Sequence, residues 1–250
     1  MRLFGLIGYP LTHSFSKKYF TEKFGREGLS DCRYELFAIA SITDLRNVLD
    51  QNPNLAGLNV TIPYKEQVLP FIDEKDDVVK TIKACNCIVI KNGKLKGYNT
   101  DVEGFERSFK RPLQPHHTKA LVLGTGGAAK AVEFVLKKLG IRFRNVSRKP
   151  SINNFSYEQL TSSIITDHTI IINTTPLGLY PGINEAPPIP YETLTPRHYL
   201  FDLVYNPAKT IFLQKGEQKG AIIKNGYEML VIQAEESWRI WSEQAPGNSQ

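Results

Sequence analysis

The chain has 250 residues, 41% apolar and 22% charged, which fits one or two folded domains and argues against a disordered protein. A formal charge of +6 with a pI near 9.1 suits small anions. An extended nucleic-acid platform is not indicated, because Lys and Arg are scattered and no stretch interleaves them with aromatics.

In chain order, the opening run 1–8 is apolar but stops at Tyr9-Pro10. It is too short for a signal-peptide core or a membrane span and reads as a buried first strand. Phe15, Tyr19, Phe20 and Phe24 then recur at helical spacing, residues 34–38 form a strand, and Leu45, Val48 and Leu49 mark a second helix. A strand over 57–62 is followed by short helical patterns around 65–71 and 76–83. Runs 87–91 and 94–98 flank Asn92-Gly93, the signature of a tight hairpin. A short helix begins near Asp101, and the polar, proline-containing stretch 110–118 is the expected joint between halves.

Beyond that joint the alternation restarts. A strand over 119–123 leads through a glycine turn into a helix with Val132, Val135, Leu136 and Leu139 on one face, stopped by Gly140. Further strands are expected at 143–147, 169–173, 200–204 and 221–224. The last helix, 228 to about 243, sets Leu230, Ala234, Trp238 and Trp241 in one stripe that must pack on something, with the first domain as the expected partner. The pattern predicts a two-domain α/β protein. An α/β substrate domain spans 1–102, completed by the closing helix in 228–250, and a Rossmann-like doubly wound parallel sheet spans 103–227.

Two segments carry the chemistry, Gly57-Leu-Asn-Val-Thr-Ile-Pro-Tyr-Lys65 and Gly97-Tyr-Asn-Thr-Asp101. An ammonium and a carboxylate ringed by Asn59, Thr61, Asn86 and Asn99 are what proton exchange with a polyhydroxylated substrate requires. Gly124-Thr125-Gly126-Gly127-Ala128-Ala129 fits G-x-G-x-x-G/A between a strand and an amphipathic helix, where backbone N–H groups can approach a pyrophosphate. About 20 residues on, where the NAD version of that fold places an acidic side chain, stands Ser147-Arg148-Lys149. Two cations and guanidinium geometry favour NADP over NAD. Cys32, Cys85 and Cys87 show no zinc spacing and suggest a reduced, cytoplasmic compartment without a metal; Cys85 and Cys87 read as packing residues. Taken alone, Ser14 and Ser16 could equally be helix caps, Tyr205 a core aromatic and Gln233 a solvated helix residue.

Over nearly its full length this order of motifs resembles the shikimate dehydrogenase family. His13-Ser14-Phe15-Ser16 is similar to the family's Ser-x-Ser element, Asn59 to Lys65 to its Asn-Val-Thr-Ile-Pro-aromatic-Lys signature, and Ala84-Cys85-Asn86 and Asn99-Thr100-Asp101 to two further site stretches. Asn173-Thr174-Thr175-Pro176-Leu177-Gly178 resembles its nicotinamide-side loop, Asp202-Leu203-Val204-Tyr205-Asn206-Pro207 a strand end, and Gly226-Tyr227-Glu228-Met229 onward its closing helix.

The resemblance implies reversible NADPH-dependent reduction of 3-dehydroshikimate to shikimate in aromatic amino-acid biosynthesis. It implies Lys65 and Asp101 as the catalytic pair, to which the proton transfer is assigned jointly; ordinary ionisation, with Asp mostly charged at neutral pH, favours Lys65 over Asp101 as the donor. Substrate would be held by Ser14, Ser16, Asn59, Thr61, Asn86, Tyr205 and Gln233. NADP(H) would be held by Gly124, Thr125, Gly126, Gly127, Ala128, Ser147, Arg148, Lys149, Thr174, Thr175, Pro176, Val204, Gly226 and Met229, in a cleft between domains that closes during turnover. Lys17, Cys87 and Val102 depart from the family's usual Pro, Thr and Gly, and Ser147-Arg148-Lys149 from its Asn-Arg-Thr or Asn-Arg-Ser. A broader quinate/shikimate dehydrogenase, a methylene-tetrahydrofolate dehydrogenase and a non-catalytic NADP-binding regulator are the competing readings. The expected partners are the small-molecule substrate and cofactor, with no nucleic acid or membrane, in a monomer or homodimer.

Overall fold

A computed structural model of the chain describes residues 1–11, 15–148 and 154–243. It divides into two compact units, Met1–Thr100 with Ala234–Gln250, and Asp101–Gln233.

The first unit contains β1 (Arg2–Gly8), α1 (Phe15–Arg26), β2 (Cys32–Ala38), α2 (Leu45–Gln51), β3 (Leu55–Val60), β4 (Glu74–Lys75), α3 (Asp77–Ile82), β5 (Cys87–Lys91) and β6 (Lys94–Tyr98). Its sheet has six strands in the order β2-β1-β3-β5-β6-β4. β1 runs parallel to both neighbours and the β5–β6 hairpin is antiparallel. The hairpin turns through Asn92 (φ 53°) and Gly93 (φ 73°), the left-handed pair that a two-residue turn demands.

β1 is apolar from Leu3 onward because both of its faces are covered. Leu3 and Ile7 join one core with Leu45, Leu58, Val60, Val68 and Ile88, while Phe4 and Leu6 join another with Phe20, Phe24, Tyr34 and Trp241. Trp241 belongs to α8 (Tyr227–Glu243), the closing helix. Its ring stacks on Phe4 at 4.9 Å and its indole N–H donates to the Ile88 carbonyl at 3.0 Å. A Cβ on Gly57 would lie 2.3 Å from the indole nitrogen, so β3 needs glycine at that point. Lys23 on α1, itself buried, reaches Glu235 on α8 at 2.8 Å and Glu27 at 2.7 Å, fastening the same two helices.

The second unit contains α4 (Asp101–Lys110), β7 (Lys119–Leu123), α5 (Gly127–Lys138), β8 (Arg142–Ser147), β9 (Asn154–Ser156), α6 (Ser162–Asp167), β10 (Ile170–Asn173), β11 (Tyr199–Asp202), α7 (Ile211–Gln218) and β12 (Ile222–Lys224). All six strands are parallel, in the order β12-β11-β10-β7-β8-β9. Numbered from β7, this is the doubly wound Rossmann order, with its reversal between β7 and β10. Strands buried on both faces explain runs such as Ile170-Ile171-Ile172. Phe105 and Phe109 of α4 pack on Tyr199 and Phe201 of β11.

Three differences from the sequence reading have physical causes. The helical pattern around 65–71 is a series of turns ending in a 3-10 turn over Leu69–Phe71, where Pro70 offers no N–H for a continued helix. Helices α6 and α7 went unread, although Thr161 and Thr210 cap them by accepting from Ile164 N–H and Leu213 N–H. The compact units part at 100/101 and 233/234, where the sequence reading drew 102/103 and 227/228. The first turns of α8 lie against α4, and a Cβ on Gly104 would stand 2.7 Å from the Met229 carbonyl and 3.1 Å from the Gln233 Cβ.

Candidate active site

Lys65 stands in the turns that leave β3, half-buried. Its carbonyl accepts from Cys85 N–H at 2.8 Å, and the preceding Tyr64, buried, donates its hydroxyl to the Ile39 carbonyl at 2.6 Å. These two anchors fix where the ammonium can reach. Thr61 lies at the mouth of the same turn, its N–H on the Ile7 carbonyl at 3.0 Å. Asp101 follows Thr100 in the chain and opens α4, where the helix dipole favours a carboxylate; it is 5% exposed.

The first unit builds a buried polar set of its own. Asn59, Asn86 and Thr100 are 5%, 3% and 1% exposed. Asn86 accepts the Thr100 N–H at 2.7 Å and donates to the Thr100 hydroxyl at 3.0 Å. Asn59 accepts the Tyr34 hydroxyl at 2.9 Å and donates to Ser237 at 2.9 Å and to the Asn86 carbonyl at 3.3 Å. Ser16, on the first turn of α1, is buried, as is Tyr34, whose burial pushes the phenol well above its ordinary range. Asn99 donates to the Ala84 carbonyl at 2.9 Å, while its Oδ1 is, among the described residues, a buried polar atom with no partner. Such an acceptor costs about 1–3 kcal/mol until a donor meets it.

The second unit holds the glycine turn at its switch point. Gly124 leaves β7 with φ +113°, and a Cβ there would stand 2.5 Å from Thr174 Oγ1 in the loop after β10. No side chain would tolerate that approach. Gly126 is exposed, caps α5 without a side chain, and faces open space where a Cβ would be, so the first N–H groups of α5 are presented by Gly126, Gly127 and Ala128 with no acidic residue in the first turn. Asn145 on β8 braces the turn, donating to the Gly124 carbonyl at 3.2 Å and to Glu133 at 2.7 Å. Ser147 ends β8 and Arg148 follows it, exposed. Val204 and Gly226 are joined by a backbone hydrogen bond of 3.2 Å, with Met229 buried one turn into α8.

Asp202, at the end of β11 and wholly buried, ties these loops together. It accepts from Asn173 Nδ2 at 2.9 Å, Val204 N–H at 3.0 Å and the Thr210 hydroxyl at 2.6 Å, and Asn173 in turn accepts from Thr175 N–H at 3.0 Å. Burial pushes the carboxyl up to about 6 against those three hydrogen bonds. Between about pH 4 and 6 the folded chain therefore holds a proton that the unfolded chain releases, so this group's contribution to stability is present below that window and is lost as pH rises through it. In Asp202→Asn that pH-dependent part vanishes, leaving a constant penalty for the mispaired amide. The difference in melting temperature between wild type and variant is expected to shrink as pH rises from about 4 to about 6.5. Parallel melting profiles across that range would contradict it.

Of the sequence-predicted residues, the first unit joins Asn59 to Asn86, with Thr61 and Lys65 on the turn that follows Asn59 and Ser16 buried on α1. The second gathers Gly124 to Ala128 with Thr174, and Val204 with Gly226; Thr175 is held by Asn173, and Pro176 and Tyr205 lie on the loops that Asp202 braces. Gln233 is buried on α8, its amide on the Leu230 carbonyl at 3.0 Å. Ser14 and Lys149 lie outside the described residues. Sequence reasoning missed Tyr34, Ser237 and Asn145. Ser237 offered a signal, a hydroxyl one turn after Gln233 and one before Trp241 on an otherwise apolar stripe.

Among the described residues no three His, Cys, Asp or Glu side chains are grouped to hold a metal ion, and no helix is long and apolar enough to cross a membrane.

Residues 6–88 match the family model described as the shikimate dehydrogenase substrate binding domain. The shikimate dehydrogenase (NADP(+)) of Desulforamulus reducens is 33% identical over 95% of this chain and 89% of its own length. Among solved structures, shikimate dehydrogenase 1 of Peptoclostridium difficile is 34% identical and superposes with a TM-score of 0.87 over 99% of this chain and 94% of that one. The shikimate 5-dehydrogenase of Thermus thermophilus, solved in complex with NADP(H) and shikimate, is 29% identical with a TM-score of 0.86 over 98% and 95%. Sequence and fold thus agree over almost every residue: the chain belongs to the shikimate dehydrogenase family.

Proposed function

We propose that this chain catalyses the reversible NADP-dependent interconversion of shikimate and 3-dehydroshikimate, in the cytoplasm, as a step of aromatic amino-acid biosynthesis. The observation that carries the reading is the buried set of amides and hydroxyls around the turn of Lys65, a surface built to bind several hydroxyl groups next to one ammonium. The unpartnered acceptor of Asn99 fits a hydroxyl donor in the same way.

The glycine turn fits the cofactor's pyrophosphate, since α5 is capped at Gly126, where a Cβ would face open space and backbone N–H groups are left for an anion. Arg148 and Lys149 are the residues that would meet a 2′-phosphate. Bound NADPH supplies the hydride. The chain supplies the rest: Lys65, as ammonium, stabilises the oxyanion that forms when a ketone is reduced and gives up one proton to it. In the reverse direction the Lys65 amine takes the hydroxyl proton. Asp101 accepts a hydrogen bond from a neighbouring hydroxyl and completes the pair, Ser14 and Ser16 hold the substrate carboxylate, and Asn86, Thr61, Tyr205 and Gln233 hold ring hydroxyls. Asn59 takes part through the orientation of Asn86, since both of its amide hydrogens already have protein acceptors.

An assay following absorbance of the reduced cofactor tests this, run with shikimate and quinate against NADP and NAD. Turnover of shikimate with NADP is expected to exceed each other combination by about tenfold or more in kcat/KM. Equal rates on quinate would move the reading to a quinate/shikimate dehydrogenase, and absence of turnover to a non-catalytic NADP-binding protein.

A further inference from the structure

The polar groups of the first unit form one continuous buried chain, and three of its members, Tyr34, Ser237 and Thr100, have no place in the mechanism above. From the Tyr34 phenol it passes to Asn59, to Ser237, to Thr100 and to Asn86. It ends at Asn86, a residue assigned to hold substrate. It joins β2, β3 and α8.

The direction of the bonds made by the two Asn amides follows from groups that have only one role. The Asn86 carbonyl can only accept, so Asn59 turns Nδ2 toward it at 3.3 Å and Oδ1 the other way. Tyr34, meeting Oδ1 at 2.9 Å, must then donate. The Thr100 N–H can only donate, so Asn86 presents Oδ1 to it at 2.7 Å and Nδ2 to the Thr100 hydroxyl at 3.0 Å. Ser237 closes the chain, receiving Asn59 Nδ2 at 2.9 Å and meeting the Thr100 hydroxyl at 3.2 Å. Ser237 and Thr100 are 0% and 1% exposed, so a partner lost here is not simply replaced by solvent.

We propose that Tyr34 and Ser237 are positioning residues for substrate, fixing Asn86 through Asn59 and Thr100 and tying that orientation to the closing helix. The proposal rests on the proposed dehydrogenase function. Removing the Ser237 hydroxyl takes one acceptor from Asn59 and one partner from Thr100, the residue that itself meets Asn86. Removing the Tyr34 hydroxyl takes the donor that holds Asn59 Oδ1, while the ring keeps its stack on Phe20 at 4.6 Å. Either loss loosens the same amide, so the two act on one element.

The test is steady-state kinetics of Ser237→Ala, Tyr34→Phe and the double variant beside wild type, with melting temperatures. Each single variant is expected to raise the KM for shikimate by about fivefold, with kcat and the KM for NADP within about twofold of wild type. The double variant is expected to raise it by clearly less than the product of the two, because the chain is already broken. Shikimate KM values equal to wild type overturn the proposal, as do KM values for both substrates rising together with a fall in melting temperature, the pattern of general loosening. Multiplicative effects in the double variant also overturn it. No turnover by wild type overturns the dehydrogenase function and the positioning role together; normal wild-type turnover with unaffected variants overturns the positioning role alone.

Discussion

Lys65→Ala is expected to lower kcat by about a hundredfold or more, with the KM for shikimate changing less, in steady-state assays in both directions. The expectation follows from what the amine does. Reduction of a ketone leaves negative charge on oxygen, and a nearby ammonium both offsets that charge and supplies the proton; a hundredfold loss corresponds to about 2.7 kcal/mol of transition-state stabilisation. The position of this ammonium is set by its neighbours, with the Lys65 carbonyl held by Cys85 N–H and Tyr64 anchored on Ile39. Few other groups on that turn could substitute. Lys65→Arg is expected to recover little activity, because a guanidinium keeps the charge but releases a proton far less readily. Wild-type turnover in Lys65→Ala would remove this residue from the chemistry.

Trp241→Ala is expected to destabilise the chain by about 3–5 kcal/mol, read from urea unfolding followed by far-UV circular dichroism. Trp241 is 3% exposed and its ring lies within 4.9 Å of Phe4 and 5.5 Å of Phe20. Its removal would empty the space that Gly57 leaves for it and strip the Ile88 carbonyl of its indole donor. Glycine at 57 cannot fill the gap. Trp241→Phe keeps the stacking and loses the hydrogen bond, so its cost should be smaller, nearer 1–2 kcal/mol. A loss below about 1 kcal/mol for Trp241→Ala would mean that α8 is not a structural part of the first unit's core.

Much of the fold was legible because its signals are local. The apolar run of β1, the Asn92-Gly93 turn and the glycine run between β7 and α5 are each decided by residues adjacent in the chain, and each reads directly. The turns at 62–71 misled because apolar residues at helical spacing there serve a core contact, Val68 being wholly buried, while two prolines deny the helix its hydrogen bonds. Helices α6 and α7 are short and carry weak apolar stripes; their capping threonines mark them only once the ends are known.

The candidate site was legible in its ends and illegible in its middle. Lys65, Asn86 and the Gly124 turn sit in motifs, so residue type and spacing reveal them. Tyr34 and Ser237 lie 203 positions apart in the sequence, and nothing local says that a strand tyrosine and a helix serine share Asn59. Asp202 is similar: its carboxylate reads as an ordinary strand-end residue until burial and its three donors show what it holds.

The most direct measurement is a crystal structure of the protein grown with shikimate. The substrate carboxylate is expected within hydrogen-bond distance of the Ser16 hydroxyl, with a ring hydroxyl on Lys65 Nζ and another on the Asn86 amide. A shikimate ring bound away from Lys65, Ser16 and Asn86 would contradict the assignment of this site.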